Sequence, residues 1–167
     1  SEGIMITDAV GKIVDVNEGF EEITGYRSEE AIGQTPRIMK SELHDQAFYD
    51  ELYHALETNQ VWVGEVWNRR KNGDLYAIRQ TITAVLADDG KVDRYISLFS
   101  DITALKQYQE RLEHIAHYDP LTDLPNRELI GDRLRTAMSQ TKRRGKLVGV
   151  GFIDLDGFKQ VNDTLGH

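Results

Sequence analysis

Between Val61 and Ile102 the chain runs through three long segments of β-rich alternation, parted by Asn72-Gly73 and Asp89-Gly90. Val61, Val63, Glu65 and Trp67 fall on one side of the first segment, opposite Trp62, Gly64, Val66 and Asn68. In the second, Leu75 to Ala87, residues Tyr76, Ile78, Gln80, Ile82 and Ala84 share a side. The third runs from Arg94 to Ile102 with Tyr95, Ile96, Leu98 and Phe99. A period of two dictates strands, and Asn-Gly and Asp-Gly are the strongest short hairpin signals. Three antiparallel strands in sequence are therefore expected, and the rest of the fold must cover one of their faces.

The residues before this meander supply the cover. Gly3-Ile4-Met5-Ile6-Thr7-Asp8 and Lys12-Ile13-Val14-Asp15-Val16-Asn17 are short strand-like runs joined through Ala9-Val10-Gly11, so they read as a further hairpin. Asn17 can cap a helix over Glu18–Thr24 that Gly25 ends. Ser28-Glu29-Glu30 opens another helical turn, Gly33 stops it, and Pro36 fits a loop or a first helical turn. From His44 to Thr58 the apolar residues Phe48, Leu52, Ala55 and Leu56 form one helical stripe, with Asp45 placed to cap it. The order strand, strand, short helices, helix, then three strands predicts an α+β fold, an antiparallel five-stranded sheet with helices on one face.

Composition sets limits. The 167 residues include no Cys, which excludes disulfides, thiolate metal sites and any cysteine nucleophile or photoadduct. No apolar run is long enough to span a bilayer, so no membrane contact by this segment is expected. Ser1-Glu2-Gly3 is no signal peptide and leads directly into a strand, as expected of a segment from a longer protein. Residues 1–101 carry 10 Lys and Arg against 19 Asp and Glu, whereas residues 102–167 are nearly neutral at +1. The break suggests two modules, and the acidic first one argues against nucleic acid as a partner.

Thr103 to His117 has a helical pattern in which Leu105, Tyr108, Leu112 and Ile115 are spaced three, four and three residues apart. That is the spacing of a coiled-coil seam, and equally of a helix packed on its own domain. A loop of turn formers, Asp119 to Arg127, leads to a helix over Glu128–Arg144 that Gly145 stops. Leu147 to Ile153 is a continuous apolar run of the kind buried on both faces in a parallel sheet. Asp154 and Asp156 follow at its C-terminal end, where α/β proteins bind ligands. A carboxylate and a neighbouring carbonyl suit Mg²⁺, and Gly157 lets the chain approach a phosphate. The same residues also describe an ordinary turn and helix cap. No EF-hand, Walker A or dinucleotide loop fits the spacing.

Asp119-x-Leu121-Thr122-x-Leu124-x-Asn126-Arg127, followed by Asp154-x-Asp156-x-Phe158-Lys159-x-x-Asn162-Asp163-x-x-Gly166-His167, resembles the opening of a GGDEF domain, the diguanylate cyclase family. Residues 1–103 resemble a PAS domain with its C-terminal PAC part. The carriers are Gly3-Ile4-Met5-Ile6-Thr7-Asp8, Ile13-Val14-Asp15-Val16-Asn17, Ile23-Thr24-Gly25-Tyr26, Gly33, Trp62-x-Gly64-Glu65, Asn68 to Gly73 and Asp101-Ile102-Thr103. The resemblance divides the chain into a sensory domain over 1–103, a signalling helix over 104–118 and the N-terminal part of a GGDEF domain over 119–167. It implies a truncated α/β, nucleotidyl-cyclase-like segment after the linker helix.

Diguanylate cyclases join two GTP molecules into cyclic di-GMP, each held by one domain of a dimer. By resemblance, Asp154 and the Leu155 carbonyl would ligate Mg²⁺. The backbone N–H groups of Gly157 and Phe158 would meet the phosphates, and Asn162 would bond the guanine. Asp119 and Arg127 would fix the entrance to the domain, and Lys159 stays unassigned. The Gly-Gly-Asp/Glu-Glu-Phe signature is not in the sequence, so these residues alone are expected to be inactive.

PAS domains hold haem, flavin, a metabolite or nothing. The candidates here are His44, beside the long helix together with His54, and Trp62 and Trp67 on opposite faces of one strand. A capping histidine and core tryptophans are the plainer readings, and neither haem nor flavin is indicated. The resulting expectation is a cytoplasmic sensory module that homodimerises through the PAS domain and the Leu105, Tyr108, Leu112 and Ile115 seam and controls a GTP-consuming cyclase. The alternative is a non-catalytic PAS module with a degenerate GTP-binding GGDEF domain regulating a cyclic di-GMP phosphodiesterase.

Overall fold

The computed structural model describes residues 1–153. They divide into two compact units, Ser1–Arg111 and a second beginning at Leu112. In the first, the strands are β1 (Glu2–Asp8), β2 (Ile13–Val16), β3 (Val61–Arg69), β4 (Leu75–Leu86) and β5 (Val92–Asp101). They form one antiparallel sheet in the order β2-β1-β5-β4-β3. The meander β3-β4-β5 is the one the turn signals demand, with Gly73 in the left-handed region at φ 96°. The N-terminal hairpin attaches to its β5 edge, Met5 pairing with Ser97 and Ile6 with Ile96.

The connection between β2 and β3 lies over one face of this sheet. It contains α1 (Glu18–Thr24), α2 (Ser28–Ala31), a 3-10 turn at Pro36–Met39 and α3 (Gln46–Asn59). Asn17 caps α1 through Phe20 N–H and also accepts Ile4 N–H at 2.7 Å, tying the helix start to β1. Asp45 caps α3 through Phe48 N–H, as the sequence predicts. Phe20 and Ile23 from α1, Ala31 from α2 and Met39 from the turn pack with Met5, Val66, Tyr76, Ile78 and Phe99 from the sheet. The rings of Phe20 and Phe99 meet edge to face at 6.1 Å. Phe99 lies over Gly3, where any Cβ would come within 2.4 Å of the ring.

β5 runs through Ile102 into α4 (Thr103–His117), which has no buried residue. In the second unit, a tight loop joins the end of α4 to α5 (Arg127–Arg144). The Asp119 carboxylate accepts N–H bonds from Leu121 and Thr122 and the Thr122 hydroxyl, which hold it below the usual carboxylate range. Asn126 caps α5 through Leu129 N–H and bonds the Ala116 carbonyl with its amide. The loop is thus organised by Asp119 and Asn126, members of the motif quoted above.

One expectation needs correcting. Leu147–Ile153 is not a strand, and Leu147, Phe152 and Ile153 are almost fully exposed. A β-strand takes its stability from a neighbour, and no other strand among the described residues of this unit offers a ladder.

Candidate functional site

A cavity of about 440 Å³ lies between the sheet and its helical cover. That size suits a drug-sized ligand. Leu52, Leu56 and Tyr49 of α3 form one wall, and Thr35, Pro36, Arg37 and Lys40 form the rim. The opposite wall is the inner sheet face, with Met5 and Thr7 from β1, Val66 and Asn68 from β3, Gln80 and Ile82 from β4, and Tyr95 and Ser97 from β5. Period-two alternation puts these residues on one face, and the crossing from β1 to β5 brings Thr7 beside Tyr95.

The wall is apolar with polar insertions. Asn68, Gln80 and Ser97 are buried, and Thr7 is 3% exposed with its hydroxyl lacking any hydrogen-bond partner among the described residues. A buried polar group left unsatisfied costs free energy, so such groups call for an explanation. At the rim, Lys40 sits over the Tyr49 ring at 4.4 Å, and among the described residues no acidic one lines the cavity.

None of the candidates His44, Trp62 and Trp67 lines this cavity. His44 is built into the edge of the sheet instead. Its Nε2 accepts the backbone N–H of Trp67 at 2.8 Å, while Ser41 donates its hydroxyl to the Trp67 carbonyl at 2.5 Å. These bonds satisfy edge groups of β3 that lack a strand neighbour. Burial also lowers the His44 pKa below 6.5. With its Nε2 lone pair engaged by an N–H, the residue does not fit a haem ligand. Trp62 points inward against Phe48, ring centroids 5.9 Å apart, and Trp67 takes the opposite face as the alternation predicts. His54 is exposed on α3.

A second cluster joins the sheet to α4. Ile102 N–H bonds the Ala77 carbonyl at 2.9 Å, and Ala77 N–H bonds the Thr103 hydroxyl at 3.1 Å. The Asp101 carboxylate accepts Thr103 N–H and Oγ1–H and an ion pair from Arg70. Burial opposes its ionisation, but those Thr103 and Arg70 hydrogen bonds outweigh it and hold its pKa down. Arg70 also donates to the Ile23 carbonyl and lies 4.3 Å above the ring of Tyr76. Tyr76 is fully buried, and desolvation pushes its hydroxyl up to about 12. Lys106 on α4 pairs with Glu65 on β3 at 2.5 Å. The start of α4 is therefore fastened to β3, β4 and the core.

A family model described as a PAS domain matches residues 1–104. The chain belongs to the PAS domain family. Residues 116–167 match the model described as diguanylate cyclase, GGDEF domain, so the PAS domain is followed by a segment of that second family. The nitrogen fixation regulatory protein of Klebsiella oxytoca is 32% identical over 114 residues, which are 68% of this chain and 23% of that protein. The cyclic di-GMP phosphodiesterase PdeR of Escherichia coli (strain K12) is 31% identical over 167 residues, 98% of this chain and 25% of the relative. The chain spans about a quarter of the length of these relatives. A crystal structure of a PAS domain from Colwellia psychrerythraea superposes with a TM-score of 0.59 at 27% identity, covering 62% of this chain and 87% of that one.

The GGDEF candidates Asp154, Leu155, Gly157, Phe158 and Asn162 lie outside the described residues. Among the described residues there is no cluster of metal-ligating side chains, and no helix is long and apolar enough to cross a membrane. The seam residues Leu105, Tyr108, Leu112 and Ile115 are all exposed on α4, between 48% and 67%. The sequence reading missed the cavity lining and the Arg70–Asp101 pair. Gln80 was nevertheless conspicuous, as a polar residue on the apolar side of β4.

Proposed function

We propose that this chain is the sensory and transmitting part of a cytoplasmic cyclic di-GMP signalling protein, in which a ligand held in the PAS cavity sets the output of a GGDEF domain. The observation that carries this reading is the junction, where one hydrogen-bonded cluster fastens the sheet to the root of a helix that leads into the GGDEF segment. A change in the cavity reaches Gln80 and Ile82 on β4, and Ala77 on the same strand holds Thr103. The reading makes the protein a homodimer through its PAS domain and α4, with Leu105, Tyr108, Leu112 and Ile115 as the helical seam. Their shared exposure and heptad spacing support it. A shift in that seam would decide whether two GTP sites face each other, as a two-state element does.

At the output end, Asp154 and the Leu155 carbonyl would hold magnesium, which offsets the charge of the phosphates. Gly157 and Phe158 would donate backbone N–H groups to GTP, and Asn162 would read its base. These roles rest on the resemblance of the motif. A flavin is one ligand the input end could take, because the Asn68 and Gln80 amides can meet a flat polar heterocycle. The lack of Cys excludes a flavin–cysteine adduct. The test is cyclic di-GMP formation from GTP and Mg²⁺ by the natural full-length protein, beside its Asp154→Ala form. Product that disappears in the variant supports the reading, and product made equally by both overturns it.

The similarity to PdeR along almost the whole chain favours a second reading, a GGDEF domain that binds GTP and regulates a phosphodiesterase. GTP binding without product, together with GTP-dependent hydrolysis of cyclic di-GMP, would select it.

A further inference from the structure

The cavity is selective in its charge. The first 101 residues carry a net charge of −9, yet the charged side chains lining the cavity are Arg37 and Lys40, both cations at the rim. Among the described residues neither forms an ion pair, which is true also of Lys12 and Arg27 in this unit, whereas Arg69, Arg70, Lys71, Arg79, Lys91, Arg94 and Lys106 do. Two unneutralised cations beside a low-dielectric cavity favour an anion strongly, because field lines concentrate there and few counter-charges compete. Deeper in, Leu52, Leu56 and Ile82 offer apolar contact, and the Thr7 hydroxyl is buried without a partner. That orphan points independently to a ligand, since a group in the cavity bonding it would remove a standing cost.

We propose that the cavity binds an amphiphilic organic anion, its carboxylate or phosphate held at the rim by Arg37 and Lys40 and its uncharged body seated against Leu52, Ile82 and the Thr7 hydroxyl. This rests on the reading of the cavity as the sensory site, and it deepens that reading by naming the chemical class. The two cations are exposed, so changing them leaves the core intact. Arg37 has the planar fork that suits an oxyanion, and Lys40 adds a point charge.

The test is fluorescence titration of the 167-residue chain with 8-anilinonaphthalene-1-sulfonate, an amphiphilic anion, and with its uncharged analogue N-phenyl-1-naphthylamine. The expected result is a single sulfonate site that weakens at least tenfold in the Arg37→Gln, Lys40→Gln double variant, with the uncharged analogue unaffected. Leu52→Trp, which fills the cavity, should remove both. Equal binding of the two probes, or sulfonate binding that survives Leu52→Trp or ignores the double variant, overturns the proposal. Competition then identifies the head group. Displacement by hexyl phosphate assigns a phosphate, and displacement by heptanoate a carboxylate. Displacement by heptanol as readily as by either anion, or by neither anion, overturns it. Because binding is read without any cyclase assay, failure here leaves the signalling reading to its own test.

Discussion

The sheet unit and the helical unit after it use apolar residues in opposite ways. In the first, alternation along β1, β3, β4 and β5 turns Met5, Val66, Tyr76, Ile78 and Phe99 inward, and helices from a single connection close over them. In the second, no described residue is buried, although Leu147–Ile153 is the most continuous apolar run in the chain. Local apolar content therefore does not make structure by itself. A segment orders when the chain also supplies a surface that pays back its lost conformational entropy.

The sharpest test of this contrast is Phe20→Ala beside Leu134→Ala. Both Trp residues lie in the sheet unit, so their fluorescence during urea unfolding reports on that unit alone. Phe20 is completely buried, and its loss should cost about 3–5 kcal/mol. Leu134, on α5, should shift the same transition by less than about 0.5 kcal/mol. Equal effects would show that the two units share one core.

Arg70→Ala should cost about 2 kcal/mol, because it strips a charged donor both from the Asp101 carboxylate and from the Ile23 carbonyl. Amide exchange at Thr103 to Lys106 should quicken while exchange in α5 stays unchanged. A uniform rise in both helices would remove the special status of the junction. Thr7→Val works in the other direction. In the ligand-free chain it should raise stability by about 1 kcal/mol, since it deletes an unpartnered hydroxyl while keeping the shape. A loss of stability would mean the hydroxyl is satisfied after all.

The smallest expected effect is on pH dependence. Burial lowers the folded His44 pKa, so the unfolded chain binds a proton first as pH falls through 6.5. Stability is then present above that value and declines below it, down to the folded pKa. His44→Gln, whose amide oxygen can still accept the Trp67 N–H, should flatten that part of the profile. An unchanged profile would assign the dependence elsewhere.

Much of the sheet unit was legible because its signals are local. Alternation located β3, β4 and β5, and the caps Asn17 and Asp45 each bind the N–H group expected of them. The cavity was not legible in the same way. Thr7, Arg37, Gln80 and Ser97 come from distant parts of the chain, and the pairing of β5 with both β1 and β4, together with the cover over that face, gathers them. His44 read as a ligand candidate by its place near α3, yet its partner is the backbone of β3. Leu147–Ile153 misled for the opposite reason, because its strand character depends on a neighbour that local pattern cannot reveal.

β4 both carries Gln80 in the cavity wall and holds the root of α4 at Ala77, whose carbonyl accepts Ile102 N–H and whose N–H donates to the Thr103 hydroxyl. At about 3.4 Å per residue, the cavity wall and the root of α4 lie only about 10 Å apart along it. The 15 residues of α4 extend about 22 Å at 1.5 Å per residue. A rocking of about 5° at the root would thus sweep the far end of the helix through about 2 Å. On the proposed reading the strand would work as a short rocker and the helix as a long pointer, so that a displacement too small to alter the sheet's hydrogen bonds would become large enough to change which side chains meet at the other end.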